Sequence, residues 1–253
     1  MKNLLKPKND VVFHCLFKKG NEGITKALIS AIIEEEITEI ELEDRYFPND
    51  YTDEKMGILD LNATLDNGTK CIVEVQLADE GNTEKRILDY WSKKYSSQLG
   101  VGEDYNQLSK TILILIVDFN LKVIKDLNKI NSKWQIRESE NPEYLLTDQL
   151  EIHIISLPKA KKKNYDHTKI MQWLTFLDNP NTKEVEKMKE ENKDIAEAMD
   201  ELEKISNDKR KRQEAEMRER WELERRSAEN YFKRHGLEEG RKERIRIRNE
   251  RTE

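Results

Sequence analysis

Ile58-Leu59-Asp60-Leu61-Asn62-Ala63-Thr64-Leu65, then Asp66-Asn67-Gly68, then Thr69-Lys70-Cys71-Ile72-Val73-Glu74-Val75-Gln76-Leu77 is the stretch that decides the fold. Both arms alternate with the period of two expected of strands, and Asn-Gly marks a turn between them. The loop length sets which side chains share a face. A two-residue Asn67-Gly68 turn pairs Leu61 with Glu74 and Asp60 with Val75, which mixes carboxylates with aliphatic groups. A three-residue loop Asp66-Asn67-Gly68, with Gly68 left-handed, pairs Asp60 with Glu74. Leu59, Leu61, Ala63 and Leu65 then share a face with Cys71, Val73, Val75 and Leu77. The energetics favour the longer loop. A buried aliphatic side chain contributes about 1.5–3 kcal/mol, whereas a carboxylate in an apolar layer costs several kcal/mol or shifts its pKa. A one-residue slip would turn a whole strand over.

The second face gathers Asp60, Asn62, Thr64, Glu74 and Gln76. Carboxylates opposed across a strand pair sit about 5 Å apart at Cβ and destabilise one another unless a counter-charge intervenes. A divalent cation, which takes carboxylate oxygens, is such a counter-charge. The same alternation also fits a solvated outer face of a half-exposed sheet. Periodicity leaves both readings open.

Leu59-Asp60, the hairpin, and Glu74-Val75-Gln76 resemble the signature of PD-(D/E)XK nucleases, with Gln in place of the usual Lys. The opening Leu5-Lys6-Pro7-Lys8-Asn9-Asp10-Val11-Val12-Phe13, with Leu16-Phe17, resembles the start of the transposase-like branch of that superfamily, the recombination-promoting nucleases. Arg86 with Tyr90, Tyr95-Ser96-Ser97-Gln98-Leu99, Gly102 with Tyr105, a strand ending at Asp118, and His153-Ile154-Ile155-Ser156-Leu157-Pro158-Lys159 resemble it as well. The resemblance runs over residues 4 to 180 and, more loosely, to Glu238-Glu239-Gly240-Arg241.

That resemblance implies metal-dependent hydrolysis of DNA phosphodiesters by an endonuclease of recombination or mobile elements. Asp60, Glu74 and Gln76 would be the catalytic set. Asp60 and Glu74 would hold Mg²⁺, with Mn²⁺ able to substitute, to polarise the scissile phosphate and activate water. Asp10 is the candidate third metal ligand, with Glu34-Glu35-Glu36 as the other choice; Asp10 would equally serve as a helix cap. Gln76 can hydrogen-bond a water but lacks the cationic charge of the usual Lys, which implies an altered mechanism. Lys8 and Arg86 are the expected DNA contacts, Arg86 because a guanidinium suits phosphate geometry. Lys93-Lys94 fit either a phosphate contact or a solvated face. The alternative function is a catalytically weak or inactive nuclease fold that binds DNA or protein through its helical tail.

The 253 residues carry a net charge of −6. Residues 1–180 hold 24 basic and 30 acidic side chains; residues 181–253 hold 21 of each, with 16 basic against 11 acidic from 209 onward. An acidic chain must concentrate its cations locally to bind phosphate. Cys15 and Cys71 suggest neither a disulfide framework nor a zinc site, and His14, His153, His167 and His235 lack ligand spacing. No leader is evident, and the longest apolar run, Thr111 to Val117, is too short to span a bilayer. A cytoplasmic protein without membrane contact is the expectation.

Helices are expected over Val11–Lys18, Glu22–Glu35, Glu84–Leu99 (with Ile87, Leu88, Trp91, Tyr95 and Leu99 buried) and Asp166–Leu177. Thr111–Val117 and Ile152–Leu157 read as central strands covered on both faces. The order gives an α/β (α+β) fold, a restriction-endonuclease-like mixed sheet flanked by helices, with a charged helical extension at the C-terminus. The division expected is a nuclease-like domain over 1–180 and a charged helical tail over 181–253, an oligomerisation or DNA-contacting arm. Lys159 to Lys163 is a basic linker that suits either phosphate contact or a surface turn.

Overall fold

Six strands form one mixed sheet: β1 (Ile40–Leu42), β2 (Leu61–Leu65), β3 (Lys70–Gln76), β4 (Thr111–Val117), β5 (Asn131–Trp134) and β6 (Leu150–Ser156), in the order β1-β2-β3-β4-β6-β5. The computed structural model describes residues 3–43, 61–163 and 166–250. Within them run α1 (Asp10–Leu16), α2 (Glu22–Ile33), α3 (Thr83–Ser96), α4 (Leu157–Lys162), α5 (Lys169–Asp178), α6 (Lys183–Glu191), α7 (Lys193–Asn207) and α8 (Lys209–Glu250).

The hairpin takes the three-residue loop. Leu61 faces Val73, Asn62 faces Ile72, Ala63 faces Cys71 and Thr64 faces Lys70. Gly68 adopts φ +80°, the left-handed conformation that glycine enters without a Cβ penalty, and its N–H donates to Leu65 O at 2.8 Å. Asp66 anchors the turn from outside by accepting from the Thr38 N–H at 2.9 Å. Thr111–Val117 is β4 to the residue, and all seven positions are buried, as a central strand requires. β3, β4 and β6 run parallel, with Gln76, Val117 and Ser156 level at one end of the sheet.

One face of the sheet packs on α1, α2 and α5 to α7. Leu61, Ala63, Cys71, Val73, Ile112 and Ile114 meet Phe13, Leu28, Trp173 and Phe176 there. Burial pushes the Cys71 thiol up to about 12, in keeping with the core position expected of it. The other face is covered by α3 and the turn at 122–124, with Ile72, Leu113, Leu115, Val117 and Ile154 against Ile87 and Ile124. That cover settles the choice left by periodicity: the Glu74 side of β3 is roofed rather than solvated.

Some expectations shift. Of the stripe expected to be buried on α3, Ile87 is buried, Trp91, Tyr95 and Leu99 are partly buried, and Leu88 is exposed. Asn9, not Asp10, caps α1, accepting from Val11 N at 3.1 Å. The stretch from Leu157 to Lys162, read as the end of a strand and a linker, is a short helix capped by Ser156. Val185, Met188, Ile195, Met199, Leu202 and Ala215 belong to the same apolar cluster as the sheet, so α6, α7 and the start of α8 build the core too. Further along α8, Met217, Trp221, Leu223, Tyr231 and Phe232 are exposed. No helix among the described residues is long and apolar enough to cross a membrane.

Candidate active site

The alternation of β3 sends Glu74 and Gln76 to the same face, beneath α3. Glu74 is 3% exposed and Gln76 is 4% exposed. The Gln76 amide Nε2 lies 3.5 Å from Glu74 Oε1, and Gln76 Oε1 accepts from Thr83 Oγ1 at 3.2 Å. Thr83 opens α3, so the helix start fixes the amide's orientation. Arg86, one turn further, brings Nη2 to 3.8 Å from Glu74 Oε1. Glu74 Oε2 is buried and has no hydrogen-bond partner.

A buried carboxylate with one oxygen unmatched resists ionisation. Burial pushes the Glu74 carboxyl up to about 7, while Arg86 and the Gln76 amide pull in the opposite direction and Glu80 adds to the rise. Glu80 is shared by two arginines: Arg86 Nη1 meets its Oε2 at 2.9 Å, and Arg225 Nη1 of α8 meets its Oε1 at 3.0 Å. A ladder Glu74–Arg86–Glu80–Arg225 therefore ties the central strand to the last helix.

A cavity of about 230 Å³ opens beside this group, lined among others by Lys8, Asp10, Leu77, Asp118, Arg218 and Glu222. It adjoins Gln76 through the backbone, since Asp118 N–H donates to Gln76 O at 2.9 Å. α8 forms one wall. Asn9 Nδ2 donates to Ala215 O at 3.2 Å, and Arg218 Nε pairs with Asp10 Oδ2 at 2.5 Å while stacking over the Trp221 ring at 4.4 Å.

The residues singled out from sequence fall as follows. Asp60 lies outside the described residues. Glu74 and Gln76 are brought together with Arg86. Asp10 stands on the neighbouring cavity and is paired with Arg218. Lys8 is half-buried in an ion quartet: it meets Asp118 at 2.7 Å and Asp178 at 2.5 Å, and Lys161 meets each of the same acids at 2.9 Å. Burial alone would raise the Asp118 carboxyl, but the two lysines hold it below its usual range. Lys94 is bound to Glu43 and Lys93 to Asp89.

Sequence reasoning missed Glu80, Arg218 and Arg225. Nothing in spacing links residue 80 to residue 225; only the path of α8 over α1 and the start of α3 does. It also missed a buried structural network on the opposite face, where Glu151 accepts from His153 Nε2 at 2.8 Å and pairs with Lys110 and Lys133. Burial opposes its ionisation, yet these three partners hold Glu151 at about 2.

The donor set suits a hard cation in part. An unmatched buried carboxylate oxygen and a neighbouring amide are oxygen ligands of the right kind. Among the described residues, however, no group of three or more His, Cys, Asp or Glu is gathered to hold a metal ion.

A mixed sheet flanked by helices, with a buried Glu-x-Gln on a central strand roofed by a helix, is consistent with the PD-(D/E)XK α/β fold. The model of the PD-(D/E)XK nuclease family transposases matches residues 7–231, and the chain belongs to that family. The matched span takes in α6, α7 and α8 as far as Tyr231, and with it the part of α8 that walls the cavity. Nucleases of this class generally use divalent metals. No curated protein and no solved structure matches the chain significantly.

Proposed function

We propose that this protein is a Mg²⁺-dependent DNA endonuclease in which Asp60 and Glu74 hold the cation and Gln76 positions the attacking water. The observation that carries the reading is the unmatched, buried Oε2 of Glu74 beside a fixed amide. A carboxylate kept from water without a partner is costly unless a ligand completes it. The hairpin register supports Asp60 as the second ligand. The register that on sequence grounds pairs Asp60 with Glu74 is the one the described part of the hairpin adopts, with Leu61 facing Val73.

A divalent cation bound there would polarise the scissile phosphate and lower the pKa of water. The chain's own groups do the rest. Gln76, held by Thr83, accepts from or donates to the incoming water and fixes its line of approach. Arg86 stands close enough to Glu74 to meet charge developing on the phosphate. Glu80 keeps that guanidinium aimed. Asp10 becomes available as a third acid on releasing Arg218.

Gln76 and the Arg218–Asp10 pair favour a second reading, a nuclease fold that binds without cutting. Supercoiled DNA incubated with wild-type protein, Asp60→Ala and Glu74→Gln, each with Mg²⁺ or EDTA, separates the two. Cleavage by the wild type alone, and only with the metal, supports the enzyme. Equal behaviour of all three proteins refutes it.

A further inference from the structure

The run Lys159 to Lys163, unresolved between a phosphate contact and a surface turn on sequence grounds, lines a second and larger cavity. It measures about 1000 Å³ and is bounded by α4, α5 and the loop from Lys125 to Asn131. Five lysines border it, at 125, 129, 159, 162 and 163, against Glu34, Asp126 and Asp166. Two of the five are engaged in holding the groove together. Lys159 Nζ donates to the carbonyls of Ile124 and Leu127, pinning the loop on α4, and Lys163 pairs with Asp166 at 2.9 Å. Asn131 ties the far end of the loop to α2 by donating to Ile32 O at 2.8 Å. Lys125, Lys129 and Lys162 are exposed, and among the described residues they have no acidic partner. Lys125 and Lys162 also border an adjoining cavity of about 270 Å³ under the same loop.

In a chain of net charge −6, several exposed cations elsewhere are cancelled. Lys93, Lys94, Lys161, Lys189, Arg210 and Arg212 each have a carboxylate. Lys125, Lys129 and Lys162 instead share one braced cavity. Their position is also particular. Ser156, which caps α4, is level with Val117 and Gln76, so the groove opens at the same end of the sheet as the candidate active site. Lys161, adjacent to Lys162, joins Asp118, whose N–H is bound to Gln76 O.

We propose that this groove is a binding track for the phosphodiester backbone of duplex DNA flanking the cut, with Lys125, Lys129 and Lys162 as its phosphate contacts. The inference rests on the nuclease reading for the identity of the polyanion. Lysines act as point charges toward phosphate, so the track binds without reading sequence.

The test is equilibrium binding of a labelled 30-base-pair duplex to the full chain in EDTA, by fluorescence anisotropy across a salt series. Each lost phosphate contact lowers the slope of log K against log salt by about 0.9. The triple variant Lys125→Gln/Lys129→Gln/Lys162→Gln is expected to lose about 2 to 3 of that slope and to bind at least about tenfold more weakly near 0.1 M salt. The triple variant Lys183→Gln/Lys187→Gln/Lys193→Gln, with the same net charge on α6 and α7, is expected to bind as wild type. Unchanged binding by the first triple, or equal loss in both, overturns the proposal. So does displacement of the duplex by polyglutamate as strongly as by unlabelled DNA. Because metal is absent, the outcome is independent of cleavage. Wild type that binds through these lysines but never cuts with Mg²⁺ would sink the endonuclease and leave the groove. Cutting with an unaffected first triple would do the reverse.

Discussion

Glu74→Gln removes one ionisable group and keeps an oxygen for the Gln76 amide to meet. In the unfolded chain Glu74 ionises near 4.5; in the fold burial first, against the pull of Arg86 and Gln76, raises it to about 7. Between those values the native state holds a proton that the unfolded state has released. The Glu74 contribution to wild-type stability is therefore fully present below about pH 4.5 and is lost as pH rises through 7. The gap corresponds to about 3 kcal/mol. The Gln variant has no such decline. Urea unfolding in EDTA, followed by circular dichroism from pH 5 to 8.5, should find the variant gaining on wild type by up to about 3 kcal/mol at the alkaline end. Mg²⁺ should narrow that gap by stabilising wild type only. With a Kd of about 1 mM and 10 mM metal, binding adds about 1.4 kcal/mol. A stability difference that is constant over pH, or that widens toward acid, would refute the burial argument. A Mg²⁺ gain equal in both proteins would refute the ligand assignment.

Gly68→Ala should destabilise by about 1 kcal/mol in a thermal melt, through its +80° φ rather than crowding, since the nearest atom to an added Cβ is Ser109 Oγ at an ordinary 3.6 Å. A neutral effect would mean the turn relaxes to another type. Lys8→Gln leaves Asp118 and Asp178 to share Lys161 alone. We expect about 1–2 kcal/mol of lost stability and an unchanged salt slope of DNA binding; a slope lower by about one would restore Lys8 as a phosphate contact. Glu80→Gln cuts both rungs between Arg86 and Arg225. Hydrogen exchange over residues 216–231 should quicken, with cleavage slowed through kcat more than KM, whereas unaltered exchange would mean α8 is held by Ala215 and Arg218 alone.

The hairpin was legible because one register alone satisfies every inward position, and Leu61, Ala63, Cys71 and Val73 are buried together as that register demands. Thr111–Val117 was legible because seven consecutive apolar residues have no solvated face to spare. β1 and β5 were not. Ile-Glu-Leu is too short to display a period, and Asn-Ser-Lys-Trp is an edge strand whose exposed Lys133 and Trp134 carry no inward signal. The roof over Glu74 was hidden for a different reason. Alternation describes a strand's own faces, while burial of the second face is decided by Ile87, Tyr90 and Trp91 on a separate helix. Ile195, Met199 and Leu202 make only a sparse apolar seam, and its partner is the helical face of the core.

The arrangement of charge bears on how an acidic chain could carry both of the proposed sites at one end of its sheet. The quartet of Lys8, Lys161, Asp118 and Asp178 is neutral and sits between them. On one side of it the Glu74 carboxylate lacks a full partner; on the other, Lys125, Lys129 and Lys162 do. Were Asp118 free, it would repel a phosphate backbone bound beside it. On the proposed reading, mutual cancellation within the quartet leaves Glu74 open to a cation and the three lysines open to phosphate. Replacing Asp118 by Asn tests this directly. It releases positive charge from the quartet, so duplex affinity in EDTA should rise by about two- to fivefold at 0.1 M salt, as one added phosphate contact allows. A fall in affinity would mean that the quartet is part of the track rather than its neutral border.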